Sequence, residues 1–167
     1  INILVLFSFL FLILNKDKNK NFKLYTIIFQ NLLISTFLIF LLTFLNSLIY
    51  PPNTLDAMTY HLPKVMHWIQ NSNLTFYPTN DIRQLILAPF AEFALLHLYL
   101  FIDGDYFSNL VQWYSMIISC LTISLISKEL GCNDKFQIFT TLFCVTLPMG
   151  ILQSSSTQTD YVTTMWL

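Results

Sequence analysis

Charge is scarce in this chain. Of its 167 residues only 10% are Asp, Glu, Lys or Arg, while 55% are hydrophobic; ordinary soluble domains carry roughly 25% charged residues. A soluble domain could not hide this much apolar surface, so the bilayer is the natural solvent. The formal net charge of −1 provides no basic face and argues against nucleic acid as a partner. Glycine is also sparse, with three residues, and no Gly-rich phosphate loop, HExxH or GxSxG motif occurs. The three cysteines, Cys120, Cys132 and Cys144, sit in or between apolar runs without paired spacing. They read as reduced packing residues rather than a disulfide or metal set. Residues 1–14 are apolar without a basic start or a small-residue cleavage site, so no cleavable signal peptide is expected. Neither repeats nor low-complexity linkers interrupt the chain.

What remains is a series of apolar runs separated by short polar stretches. Spans are expected at about 1–14, 24–49, 106–127, 136–152 and 161–167 onward. Lys16, Lys18, Lys20 and Lys23 follow the first run and mark the cytoplasmic side by the positive-inside rule. The second run ends outside at Tyr50, where Pro51 and Pro52 stop the helix. The run at 84–102 is the ambiguous one, because Pro89, Glu92 and His97 interrupt it and a buried acid in lipid is costly. Charge counting helps. If 84–102 spans, Lys16, Lys18, Lys20 and Lys23 lie inside against Lys64, Arg83, Lys128 and Lys135 outside. If it lies at the interface, Lys128 and Lys135 join the inner set, and the bias follows the rule better. Residues 50–105 are therefore expected to form one large external loop, with 84–102 a re-entrant or interfacial helix. Gly131 suits a helix C-terminus, and 153–160 is a second external loop ending at Asp160. With no initiating Met and an apolar start at 161–167, the chain is expected to be part of a longer protein, inactive alone.

Most of the polar chemistry collects at 50–83. A helix capped by Asn53 or Thr54 and running towards Gln70 would place Asp56, Tyr60, Lys64 and His67 on one face. Met58, Leu62, Val65, Met66 and Ile69 would fall opposite, giving an amphipathic helix in the interface plane, kinked at Pro63. Lys64 and His67 read as wetted neighbours on that face. His61 points away from it, towards protein, with metal ligation as the alternative. Asp56 is the candidate catalytic acid, since it follows a span exit and pairs by topology with Asp160. Arg83 fits either a snorkelling anchor or a phosphate clamp. Asp103-Gly104-Asp105 reads as a turn, with Gly104 supplying the conformation. Asn73-Leu74-Thr75 fits a glycosylation acceptor but is short enough to arise by chance.

The stretch PPNTLDAMTYHLPKVMHWIQN, followed by Tyr77-Pro78-Thr79 and IRQLILAPFAEF, resembles bacterial membrane glycosyltransferases of the GT-C type. These include the dolichyl-phosphate-mannose protein mannosyltransferase-like and aminoarabinose transferase-like proteins. The resemblance runs from Leu24 to the end and covers the N-terminal part of such an enzyme. It implies an all-α polytopic bundle with interfacial helices in the first large external loop, in the bacterial inner membrane. Asp56 matches the family's first acid and Thr159-Asp160-Tyr161 the second. Arg83 takes the place of a basic residue contacting the lipid phosphate; the family pattern there is Lys followed by Pro, whereas Gln84 follows here. Tyr60, His61, Lys64 and His67 would be supporting residues.

The implied reaction moves a sugar from a polyprenyl-phosphate-linked donor to a lipid, glycan or protein acceptor on the outer face. A divalent cation held by Asp56 and Asp160 is an open possibility for a cofactor. Two other classes compete: a transporter or channel subunit with acids along its path, and a catalytically silent membrane scaffold. Transporters carry such acids inside their spans, and these spans are uncharged.

Overall fold

Residues 21–167 are described by the computed structural model, with side chains from Thr26 onward; the expected span at 1–14 and most of the lysine cluster lie outside them. Helix α1, Asn21–Ile49, carries the apolar run expected at 24–49 and stops before Pro51 and Pro52. Pro51 has no amide hydrogen to continue the ladder. A widened turn with π-type hydrogen bonding, Ala57–His61, runs directly into α2, Leu62–Asn71. Next come α3, Arg83–Ile86, and α4, Phe90–Ile102. Asn109–Glu129 forms α5, Asp134–Val145 α6, Pro148–Ser154 α7 and Asp160–Trp166 α8. No strand occurs among the described residues.

Two helices, Thr26–Ile49 within α1 and α5, are long and apolar enough to cross a membrane. Their burial supports a lipid solvent. In α1, Phe37 and Leu42 are exposed whereas Thr36, Thr43 and Ser47 are buried. In α5 the buried set includes Asn109, Gln112, Ser115 and Ser119, and the exposed set Tyr114, Leu121, Leu125 and Ile126. Small and polar residues inside with large apolar residues outside suits helices bathed in hydrocarbon, where polar groups bond to protein and lipid covers the rest.

The run expected to span at 136–152 is not one straight helix. It breaks between α6 and α7 with a bend of 73°, because Pro148 cannot donate to the preceding turn and instead opens α7. The ambiguous run at 84–102 also breaks. Pro89 disfavours helical backbone at Ala88, Leu87 is extended, and α4 keeps 13 residues. At 1.5 Å per residue that is about 20 Å, short of the ~30 Å hydrocarbon core. In the 103–105 turn the left-handed backbone falls on Asp103 (φ 58°) rather than on Gly104, and Asp103 closes α4. Gly131 does take positive φ (83°) after α5, as expected.

The chain divides into two units, Ile1–Leu42 with Cys120–Ile151, and Thr43–Ser119 with Leu152–Leu167. All the candidate site residues belong to the second. Its interior combines Val65 and Trp68 of α2 and Leu95 of α4 with a polar tie through Gln84.

 Leu95 is 2% exposed and Val65 1%, and the Trp68 and Phe93 rings stack at 5.4 Å between α2 and α4. Gln84, itself buried, accepts hydrogen bonds at Oε1 from the Tyr77 hydroxyl (3.1 Å) and the Thr79 hydroxyl (2.9 Å). Its Nε2 donates to the Thr59 carbonyl at 2.8 Å. One amide thus pins the 77–79 loop and the start of α3 against the widened turn. Gln84→Leu strands the buried Tyr77 hydroxyl and the Thr59 carbonyl together. It is expected to destabilise this unit by ~3 kcal/mol, read as a lower thermal unfolding midpoint and faster amide exchange across 57–86.

Candidate functional site

Thr54 Oγ1 accepts from the Ala57 amide at 3.4 Å, a long version of the expected cap. Asp56 follows on the first helical turn. Tyr60 stands one turn further on, within the widened segment, and three of the residues singled out from the sequence act on its hydroxyl. Burial raises the Tyr60 pKa most; the Asp56 carboxylate raises it further, by its charge and as a hydrogen-bond acceptor. The Arg83 guanidinium opposes these effects, and the Asp160 carboxylate adds to them. Asp56, Arg83 and Asp160 come from three separate stretches, and all lie within electrostatic reach of one phenol.

Arg83 lies over the Tyr60 ring, 4.6 Å from its centroid. Its Nη2 and Nε bond the Asp81 carboxylate at 2.7 and 2.9 Å. The hydrogen bond with Asp81 is the main reason that the Arg83 pKa is raised; the charges of Asp81, Tyr60 and Asp56 contribute in turn. Asp81 is correspondingly held below the usual carboxylate range, chiefly by that hydrogen bond. The guanidinium is half-exposed, and a phosphate arriving there would share it with Asp81.

Asp160 owes its place to side chains on α5. Asn109, 1% exposed, donates through Nδ2 to the Tyr50 carbonyl at 2.9 Å and accepts at Oδ1 from the Thr157 hydroxyl at 2.7 Å. Gln112 Oε1 accepts from the Val162 amide at 3.2 Å, satisfying one of the free donors in the first turn of α8. These bonds tie the exit of α1 and the start of α8 to the same helix. The stretch 153–160, expected as an external loop, is largely packed inward: Ser154, Ser156 and Thr157 are buried. The Ser156 and Thr157 hydroxyls donate to protein, and only its end at Asp160 is exposed. Neither Asn109 nor Gln112 stands out in the sequence, where each is one polar residue in an apolar run.

The supporting residues scatter. Lys64, expected on a wetted face, is 4% exposed. Its Nζ donates to the Leu87 carbonyl at 2.8 Å, a group released by the break before Pro89, and lies 5.5 Å from the Trp68 ring centroid. Leu62 and Val65, on the side expected to be apolar, are buried as well, so α2 is covered on both faces and Lys64 lies under that cover. An i→i+5 turn adds one residue, about 100° of rotation, so a face sorted on an unbroken α-helix fails across it. Met58, expected on the apolar side, is exposed by the same shift. His67 is half-buried and stacks on Tyr77 at 4.0 Å. His61 faces protein, as its register suggested: its Nδ1 lies 2.9 Å from Glu92 Oε1, with both side chains buried. Glu92 was visible in the sequence as an obstacle to spanning; its partner was not.

Among the described residues no group of three or more His, Cys, Asp and Glu side chains could hold a metal ion. Asp56 and Asp160 are the two acids that would have to hold a hard cation, whose oxygen preference suits carboxylates. No family model matches this chain, and no curated protein or solved structure proves similar to it.

Burial lowers the Lys64 pKa and the Glu92 charge partly restores it. Below that lowered value the folded state carries the full cost of a buried ammonium. As pH rises through it, the folded protein releases a proton that the unfolded chain keeps until about 10.5. Over this window the unfolded state binds more protons, so Lys64 makes stability increase with pH. Lys64→Met should remove that contribution. Unfolding midpoints of both proteins, measured from neutrality to pH 10, should therefore show a shallower or more negative slope for the variant.

Proposed function

We infer that the chain belongs to a membrane glycosyltransferase of the GT-C kind that its 50–105 region resembles, acting on a polyprenyl-phosphate-linked sugar. In this reading 50–105 lies on the outer face of a bacterial inner membrane. The short helices α2 and α4 rest at the interface, and α1 and α5 cross the bilayer. The observation that carries the proposal is the convergence on Tyr60 of two carboxylates and a guanidinium from distant parts of the chain. The half-exposed Arg83 also suits a phosphate, because its planar fork matches two oxygens at once.

The chemistry follows from those groups. Asp56 takes the proton of an acceptor hydroxyl as general base. The acceptor oxygen forms a bond to the anomeric carbon while the bond from that carbon to the phosphate oxygen breaks. The electron pair leaves on the polyprenyl phosphate, whose charge Arg83 stabilises. Tyr60, kept protonated by its surroundings, offers a donor beside Asp56, and Asp160 orients the acceptor. Asp56 and Asp160 are the residues that would hold a divalent cation, which would supply charge neutralisation as the phosphate leaves.

Asp56→Asn keeps the shape of the side chain and removes the base. Transfer of labelled sugar from a polyprenyl-phosphate donor should fall by about 10²-fold or more, with membrane insertion, scored by resistance to alkaline extraction, unchanged. Undiminished transfer would refute the role of Asp56.

A further inference from the structure

A groove of about 540 Å³ opens beside the charged cluster, within the same unit. Leu87, Phe90, Val162 and Trp166 supply apolar walls, and His61 and Glu92 form part of its lining. The Phe90 and Trp166 rings meet edge to face at 5.5 Å, and both side chains are more than half exposed. The polar part of the lining is unusual. Glu92 is 1% exposed; its Oε1 pairs with His61, and its Oε2 is buried with no hydrogen-bond partner. A carboxylate oxygen left dry and unpaired is costly, and such groups in native proteins mark an absent donor or a working site.

We propose that this groove binds an uncharged amphiphile, its hydrocarbon body lying along Leu87, Phe90, Val162 and Trp166 and its hydroxyl donating to Glu92 Oε2. The apolar walls set the body of the ligand. The head must be a donor, because Oε2 only accepts when the carboxylate is ionised. It should be neutral, since the buried Lys64 ammonium already interacts with the Glu92 charge and a second cation would be repelled. Oε2 is closed off from solvent; a small turn of the carboxylate about its terminal torsion, which is broad and cheap to rotate, brings it towards the hydroxyl. That turn moves both oxygens, so His61 Nδ1, 2.9 Å from Oε1, limits it to a small angle and acts as a positioning residue.

This site does not depend on the transfer reaction, and its test is kept separate. The protein in phosphatidylcholine vesicles is irradiated with a long-chain alcohol carrying a diazirine near its hydroxyl. An alkane and an amine of equal length, bearing the same group, serve as controls. The alcohol should label peptides covering 87–92 and 159–166 at least about tenfold more than the alkane, the factor expected of a charge-assisted hydrogen bond. Glu92→Leu should erase that preference, and Glu92→Gln, which keeps the shape and a weaker acceptor, should reduce it several-fold. Asp56→Asn should leave it intact even if sugar transfer is lost. Equal labelling by alcohol and alkane would reduce the groove to ordinary lipid contact and overturn the proposal. So would a preference for the amine, or an alcohol preference that survives in both Glu92 variants.

Discussion

The side-chain amide of Asn109 has one donor and one acceptor in use, and they hold two distant parts of the chain. Its Nδ2 holds the carbonyl of Tyr50, where α1 ends, and its Oδ1 holds the hydroxyl of Thr157, just before α8. Asn109 and Thr157 are buried and have no water to fall back on, so each bond is worth keeping. Gln112, one turn along the same helix, holds the first turn of α8. The two acids of the candidate site are introduced by the segments that these amides tie down. Moving α5 by even part of a turn would separate Asp160 from Tyr60, which makes the polar stripe of an apolar helix the frame for everything exposed.

Features set by the solvent were legible in the sequence. The runs that became α1 and α5 announced themselves because a helix in lipid must be apolar over its whole length. That 84–102 is a poor span was also readable, since Pro89 and Glu92 stand in its middle, but it was expected as one helix and not as two parted at Leu87. The face of the 57–71 helix was not. Sorting residues by 100° presumes one hydrogen-bond pattern, and the π turn at Ala57–His61 changes it. Lys64, expected wet, is buried together with Leu62 and Val65 of the same helix, a covering of both faces that only tertiary packing shows. Nor could the sequence reveal that Ser154, Ser156 and Thr157 turn inward, because a hydroxyl-rich loop looks the same whether water or an asparagine satisfies it. Asp56, Arg83 and Asp160 were each singled out by position and chemistry, whereas their shared electrostatic reach to Tyr60 is a tertiary fact.

The π turn also separates two kinds of surface. Tyr60 and His61 are consecutive, with ring centroids 4.2 Å apart, yet they meet different neighbours. Tyr60 belongs to the exposed cluster of Asp56, Arg83 and Asp160. His61 belongs to the interior, where it and Glu92 form a buried pair. A charged, partly exposed cluster and an apolar groove therefore adjoin across one peptide unit. Widened turns of this type are seen mostly at functional sites because the inserted residue costs helix stability without adding a backbone bond. Here the insertion lets neighbouring residues meet groups that an unbroken helix would present on one rim.

Glu92 shows why that division matters energetically. Its place in the first turn of α4 favours a negative charge, and His61 supplies one hydrogen bond. Lys64 adds an opposite charge nearby without a direct bond, because its Nζ is committed to Leu87. None of these satisfies Oε2. Packing alone would be served better by an apolar residue of similar volume, since buried ion pairs seldom repay their desolvation. The unpaired oxygen beside the groove is thus a cost that the fold itself does not offset, and a ligand donor is the group that would.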